Sequence, residues 1–149
     1  MREILALIAK LAAEFSLENS LLHAIMLQES GGKIRAYRFE PAFWERYLKD
    51  KPEFAKAIPE RVAASYGLWQ VMYPTALEHG FDGFPEELFA PEISGKIACK
   101  LLKNLIQLSE GDIAKALAAY NGGKGNWRGA HPQAYAKQVL DRKAKLEGK

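Results

Sequence analysis

The chain holds a single cysteine, Cys99, so no internal disulfide can form and a thiolate-based zinc site is excluded. Cys99 stands between Ala98 and Lys100 in a helical pattern, which favours a buried structural thiol over a nucleophile. The three histidines form no pair with metal-ligand spacing, and no cofactor is indicated. No apolar run is long enough to cross a membrane as a helix, which argues against membrane insertion. Glu3, Lys10 and Glu14 interrupt the apolar N-terminus, so it lacks the uncharged core of a signal peptide. Charge of one sign is also scarce. Lys and Arg number 21 against 18 Asp and Glu, and the excess gathers late, at Lys137, Arg142, Lys143, Lys145 and Lys149. That balance helps a protein settle on an anionic polymer but falls short of a nucleic-acid footprint. Repeats and low-complexity tracts are absent.

What is present is an ordinary globular composition, 48% hydrophobic and 26% charged over 149 residues, which predicts one domain covering residues 1–149 and a monomer. Ile4, Leu7, Ile8, Leu11 and Phe15 repeat on one face of a first helix over Arg2–Phe15. Leu21, Leu22, Ile25 and Met26 mark a second helix, which Gly31 and Gly32 stop. Alternation over residues 33–41 suggests a short strand or extended arm, and Pro41 starts a helix over Ala42–Leu48. Pro52 and Pro59 make residues 49–60 a loop with at most a helical turn. The run Ala63–Met72 fits either a core helix or a cleft wall. A short helix over Pro74–His79, a longer one over Pro91–Leu108, another from Asp112 to the Asn121-Gly122-Gly123 stop, and a last one over His131–Lys145 complete the pattern.

Glu29 is the residue to watch. It falls at the C-terminal end of the second helix, where exposed carbonyls and an apolar surround both disfavour a negative charge and raise the pKa. A carboxyl group kept protonated near neutral pH is what acid-assisted glycoside cleavage needs, because the leaving oxygen must be protonated as its bond breaks. A lone glutamate at a helix end is also a common solvated residue. His23 on the same helix reads as a core-edge histidine rather than a proton relay. Trp44, Trp69 and Trp127 can stack on sugar faces or simply pack. Gly122-Gly123-Lys124-Gly125-Asn126 lacks the ending and the preceding strand of a phosphate loop.

Three stretches in order, Glu29-Ser30-Gly31, Gly67-Leu68-Trp69-Gln70-Val71-Met72 and Ala118-Ala119-Tyr120-Asn121-Gly122-Gly123, carry a resemblance. Together with Leu88-Phe89-Ala90-Pro91-Glu92 before the long helix, they resemble the catalytic domain of the soluble lytic transglycosylase and goose-type lysozyme superfamily. The resemblance implies a mainly α, lysozyme-like fold with a substrate cleft and at most a small β element. It implies peptidoglycan glycan strands as partner and cleavage of the β-1,4 bond between N-acetylmuramic acid and N-acetylglucosamine. Carried over by position, Glu29 matches the catalytic acid, and Ser30, Gln70, Met72, Tyr120 and Asn121 match substrate-binding positions. A serine that contacts the acid in many members has no clear counterpart: Arg61 stands in that neighbourhood, and Ser65 is the nearby hydroxyl.

The interval between Glu29 and Gly67 is longer than the simplest pattern, and it holds Phe39-Glu40-Pro41-Ala42-Phe43-Trp44. This piece resembles a signature of phage-associated N-acetylmuramidases, which makes Glu40 a second candidate catalytic carboxylate. Its alternative is a structural carboxylate at the start of the helix after Pro41. The expectation is a lytic transglycosylase forming 1,6-anhydro-muramic acid ends, in a phage or prophage lysin made in the cytoplasm and acting on the wall after release or export. The alternatives are a hydrolysing muramidase using Glu29 and Glu40, and a non-catalytic wall-binding or virion structural domain.

Overall fold

Ile4, Ile8 and Leu11, spaced for one helical face, are buried on α1 (Arg2–Phe15). Ser16 closes that helix in the left-handed region at φ 53°. The next helix, α2 (Asn19–Ser30), buries Leu21, Leu22, Ala24, Ile25 and Met26 and ends on Gly31 at φ 62°, as its glycine pair requires. All of residues 1–149 are described by this computed structural model. Beyond α2 the chain forms a small antiparallel sheet in the order β1 (Tyr37–Phe39), β2 (Ala64–Tyr66), β3 (Val71–Met72).

The stretch Ala63–Met72 is therefore a strand, turn and strand rather than a core helix. Gly67 at φ 78° and Gln70 at φ 51° hold left-handed backbone that a helix cannot contain. Register sets Arg38 opposite Ser65 and Ser65 opposite Met72, so these three side chains form one row across the sheet. Between β1 and β2 lies an arm. It begins with α3 (Pro41–Phe43), widens into a π-helical turn over Trp44–Leu48, and passes a 3₁₀ turn at Pro52–Phe54 into α4 (Pro59–Val62). Leu48, Phe54, Val62 and Ala63 give the arm its own small core, flanked by Phe39, Phe43, Trp44, Ala57 and Tyr73.

After the sheet come α5 (Tyr73–Glu78), a 3₁₀ turn at Pro85–Phe89, and three longer helices: α6 (Pro91–Leu108), α7 (Ile113–Gly122) and α8 (Ala130–Leu146). Asp112 caps α7, its carboxylate accepting from the Lys115 N–H at 3.1 Å. The main core gathers α1, α2, α6, α7 and α8 around the hairpin, with Trp69 fully buried among them. Cys99 is buried in that core, and burial pushes its thiol up to about 12, as befits a structural residue. No helix is long and apolar enough to cross a membrane.

Candidate active site

The last turn of α2 delivers Glu29 to the edge of a cleft of about 1030 Å³. One wall is the sheet row Arg38, Ser65 and Met72 with Gln70. The other is the end of α7 and the loop after it, from Ala119 to Asn126, and Leu101 and Leu105 of α6 also line the space. Because α8 packs against both α2 and α7, it can reach the acid from a third side. Tyr135 does so, its hydroxyl donating to Glu29 Oε2 at 2.6 Å.

Burial pushes the Glu29 carboxyl up to about 7, against the opposing pull of the Tyr135 hydrogen bond and of the Arg38 charge. The helix-end argument from sequence gave the right direction, and withdrawal from water is the larger cause. Tyr135 is itself buried and its phenol is driven far up by that burial and by the carboxylate, so at any ordinary pH it remains a hydrogen-bond donor. The pair is a carboxyl group able to give up a proton near neutrality, oriented by a phenol that cannot take the proton away.

Four of the motif positions, and Ser65, line the cleft with this pair. Gln70 lines the cleft, and its amide donates to the carbonyls of Ala36 at 3.2 Å and Gly67 at 3.0 Å, which pins a residue in left-handed backbone at the hairpin tip. Met72 and Ser65 lie beside each other in the sheet row. Tyr120 donates to the Trp69 carbonyl at 2.8 Å, and the Trp69 indole N–H in turn donates to the Leu22 carbonyl at 3.1 Å. Through this relay α7, the hairpin and α2 are locked together around the acid. Asn121 lines the cleft with its Oδ1 3.0 Å from Nδ1 of His131.

Ser30 is not brought to the cleft. Its hydroxyl donates to the Met26 carbonyl at 3.1 Å and accepts the Gly32 N–H at 3.2 Å, closing the end of α2. Arg61 is also elsewhere, on α4, bonded to both carboxylate oxygens of Glu86 at 2.7 Å. The hydroxyl on Glu29 comes from Tyr135, about a hundred positions along the chain, and Ser65 makes no hydrogen bond to the acid. Nothing local to Tyr135 flags it: in sequence it is one aromatic on the apolar side of the last helix. Glu40 does line the cleft, paired with Arg38 at 3.2 Å. It is the residue that precedes α3 at its N-terminus, and its side chain makes no cap hydrogen bond there. None of the tryptophans lines the cleft: Trp69 is core, Trp44 packs in the arm, and Trp127 lies under the cations of Lys115 and Arg128. No group of three or more His, Cys, Asp or Glu side chains is placed to hold a metal ion.

Gly67 and Gly122 are demanded by their surroundings. A Cβ on Gly67 would come within 2.9 Å of the Leu88 carbonyl oxygen, and one on Gly122 within 2.4 Å of the Pro132 ring. The second contact lets α7 and α8 approach closely behind Asn121.

Comparison with known proteins bears on the fold and the family. Among solved structures, an inactive mutant of the lytic transglycosylase Slt from Pseudomonas aeruginosa superposes with a TM-score of 0.69 at 19% identity. The match takes in 95% of this chain and 24% of that one, so the chain spans about a quarter of the solved relative's length and shares its lysozyme-like fold. No curated protein sequence matches. The family model described as the transglycosylase SLT domain matches residues 6–141, a span that includes Glu29, the hairpin, the end of α7 and Tyr135, and the chain belongs to that family.

Proposed function

We propose that the protein is a peptidoglycan lytic transglycosylase that cuts the β-1,4 bond between N-acetylmuramic acid and N-acetylglucosamine, with Glu29 as its acid and base. One observation carries the reading: a half-buried carboxyl with its pKa near 7, held by a phenol at the edge of a long cleft. In the reaction the Glu29 proton passes to the glucosamine oxygen as its bond to the muramic anomeric carbon breaks. The 6-hydroxyl of the same muramic acid then bonds to that carbon and returns its proton to Glu29. Atoms balance without water, and one carboxyl group serves both steps. Gln70, Met72, Ser65, Tyr120 and Asn121 form the walls that hold the strand.

A second reading has one observation of its own. Glu40 lines the same cleft as Glu29, so an inverting hydrolysis with Glu40 activating water is the competing chemistry, for which carboxyl separations of about 6.5–9.5 Å are usual. Glu40 is paired with Arg38 at 3.2 Å. The arm that carries Glu40 resembles that of phage-associated muramidases, which supports a lysin acting on the wall from a phage or prophage.

Mass spectrometry of muropeptides released from purified peptidoglycan decides between the readings. Non-reducing products lighter by one water establish the transglycosylase. Reducing muramic acid ends establish hydrolysis and bring Glu40 into the reaction. Release of neither would return the chain to the class of wall-binding domains.

A further inference from the structure

The arm between β1 and β2 does more than bridge two strands. Ala42, Phe43, Arg46, Tyr47, Leu48 and Lys51 all line the cleft. The arm passes Arg46, Tyr47 and Leu48 in a π-helical turn, closed by the Lys49 N–H on the Trp44 carbonyl at 2.9 Å. Leu48 is buried in the arm's own core, so the turn is anchored. Tyr47 stays exposed, its ring 4.8 Å from that of Phe43.

Two cations complete this end of the cleft. Neither Arg46 nor Lys51 is in an ion pair, whereas Arg38 is matched by Glu40 and Lys49 by Glu45. The Arg46 guanidinium lies 5.8 Å from the Tyr47 ring centroid, which leaves its N–H fork available. Glu78 is the only other carboxylate on the lining besides Glu29 and Glu40, against Arg38, Arg46, Lys51 and Lys124, so the lining keeps a positive surplus. A bare glycan of N-acetylated sugars is uncharged and gives such a pair nothing to bind. The carboxylates of peptidoglycan are carried by the stem peptides on muramic acid.

Resting on the proposed function, we propose that Arg46 and Lys51 form a subsite for the carboxylate of a stem peptide, with Tyr47 packing against the sugar that carries it. The arm thereby makes the enzyme selective for peptide-bearing strands over naked ones.

The test uses soluble glycan strands in three forms: with free-carboxylate stems, with amidated stems, and stripped of stems by an amidase. Binding is measured by calorimetry with the Glu29→Gln protein, so that it does not depend on turnover, and cleavage is measured with the unsubstituted protein. Free-carboxylate strands should bind tightest. Arg46→Gln or Lys51→Gln should weaken them by roughly tenfold and leave stripped strands unchanged, as expected for loss of a charge-assisted contact. In cleavage the loss should appear in KM and spare kcat. Equal binding of the three forms by the parent overturns the subsite, as does an equal loss on stripped strands. The same selective loss with Lys124→Gln, on the opposite wall, would also overturn it by showing general cleft charge. Absence of cleavage with the binding preference intact would sink the catalytic reading and keep the subsite.

Discussion

On the proposed function, Glu29 sets the pH behaviour. Its folded pKa of about 7 means that the acid is charged and unable to donate at alkaline pH, so the rate should fall as pH rises through about 7. Tyr135 favours the charged form by donating to it, and Tyr135→Phe should therefore move the alkaline limb upward. A pH profile of wall lysis for both proteins checks this; a downward shift would contradict the assigned geometry. Glu29→Gln should abolish lysis and leave wall binding in place, measured by turbidity and sedimentation. The same substitution has a stability signature. A carboxyl whose pKa is raised on folding costs nothing below its unfolded value near 4.5 and destabilises increasingly as pH rises from there through about 7. At pH about 8, Glu29→Gln should thus be more stable than the parent by about 1–2 kcal/mol, allowing for the exposed part of the group, and the gain should vanish near pH about 4.

At the scale of elements, the hairpin β2–β3 depends on Gly67 at its turn. Gly67 combines φ 78° with the close Leu88 carbonyl, so Gly67→Ala pays both backbone strain and a clash. A loss of about 2–4 kcal/mol in urea unfolding is expected, with lysis reduced at temperatures where the protein is still folded because Gln70 is displaced. Gly123, also at positive φ but with nothing near its Cβ, should cost less on the same substitution, about 1–2 kcal/mol. Comparable losses at the two sites would mean that the Leu88 contact is soft. The arm depends on Leu48 in the same way: Leu48→Ala should cost about 2–4 kcal/mol and loosen the π turn that presents Arg46 and Tyr47.

For the whole molecule, Trp69 is the residue that joins the parts. It is fully buried, donates to α2 through its indole, and accepts from α7 through its carbonyl. Trp69→Ala should cost about 3–5 kcal/mol, a large share of the stability expected for a domain of this size. Trp69→Phe keeps most of the volume but removes the indole's hydrogen bond to the Leu22 carbonyl, and its loss should fall short of that of Trp69→Ala. Chemical denaturation followed by far-UV circular dichroism and by lysis should give one midpoint for both signals. A separate, earlier loss of lysis would show that the cleft opens before the core.

The sequence by itself determined the helices, because each buries one face and carries its own stop: Gly31 after α2, the Asp112 cap before α7, and Pro91 at the start of α6. It also singled out Glu29, Gln70, Met72, Tyr120 and Asn121, all of which line the cleft, through short motifs that resemble those of the family. Only the tertiary structure decided the rest. That Ala63–Met72 is a hairpin depends on its pairing with β1, a contact between distant segments that no local period reports. That Ser30 serves its own helix depends on which hydrogen bonds the turn leaves open. That the phenol on Glu29 is Tyr135, and not a hydroxyl near the second motif, depends on α8 packing across α2. A side chain's pKa and partners are set by what surrounds it in space, and those surroundings are assembled from residues far apart along the chain.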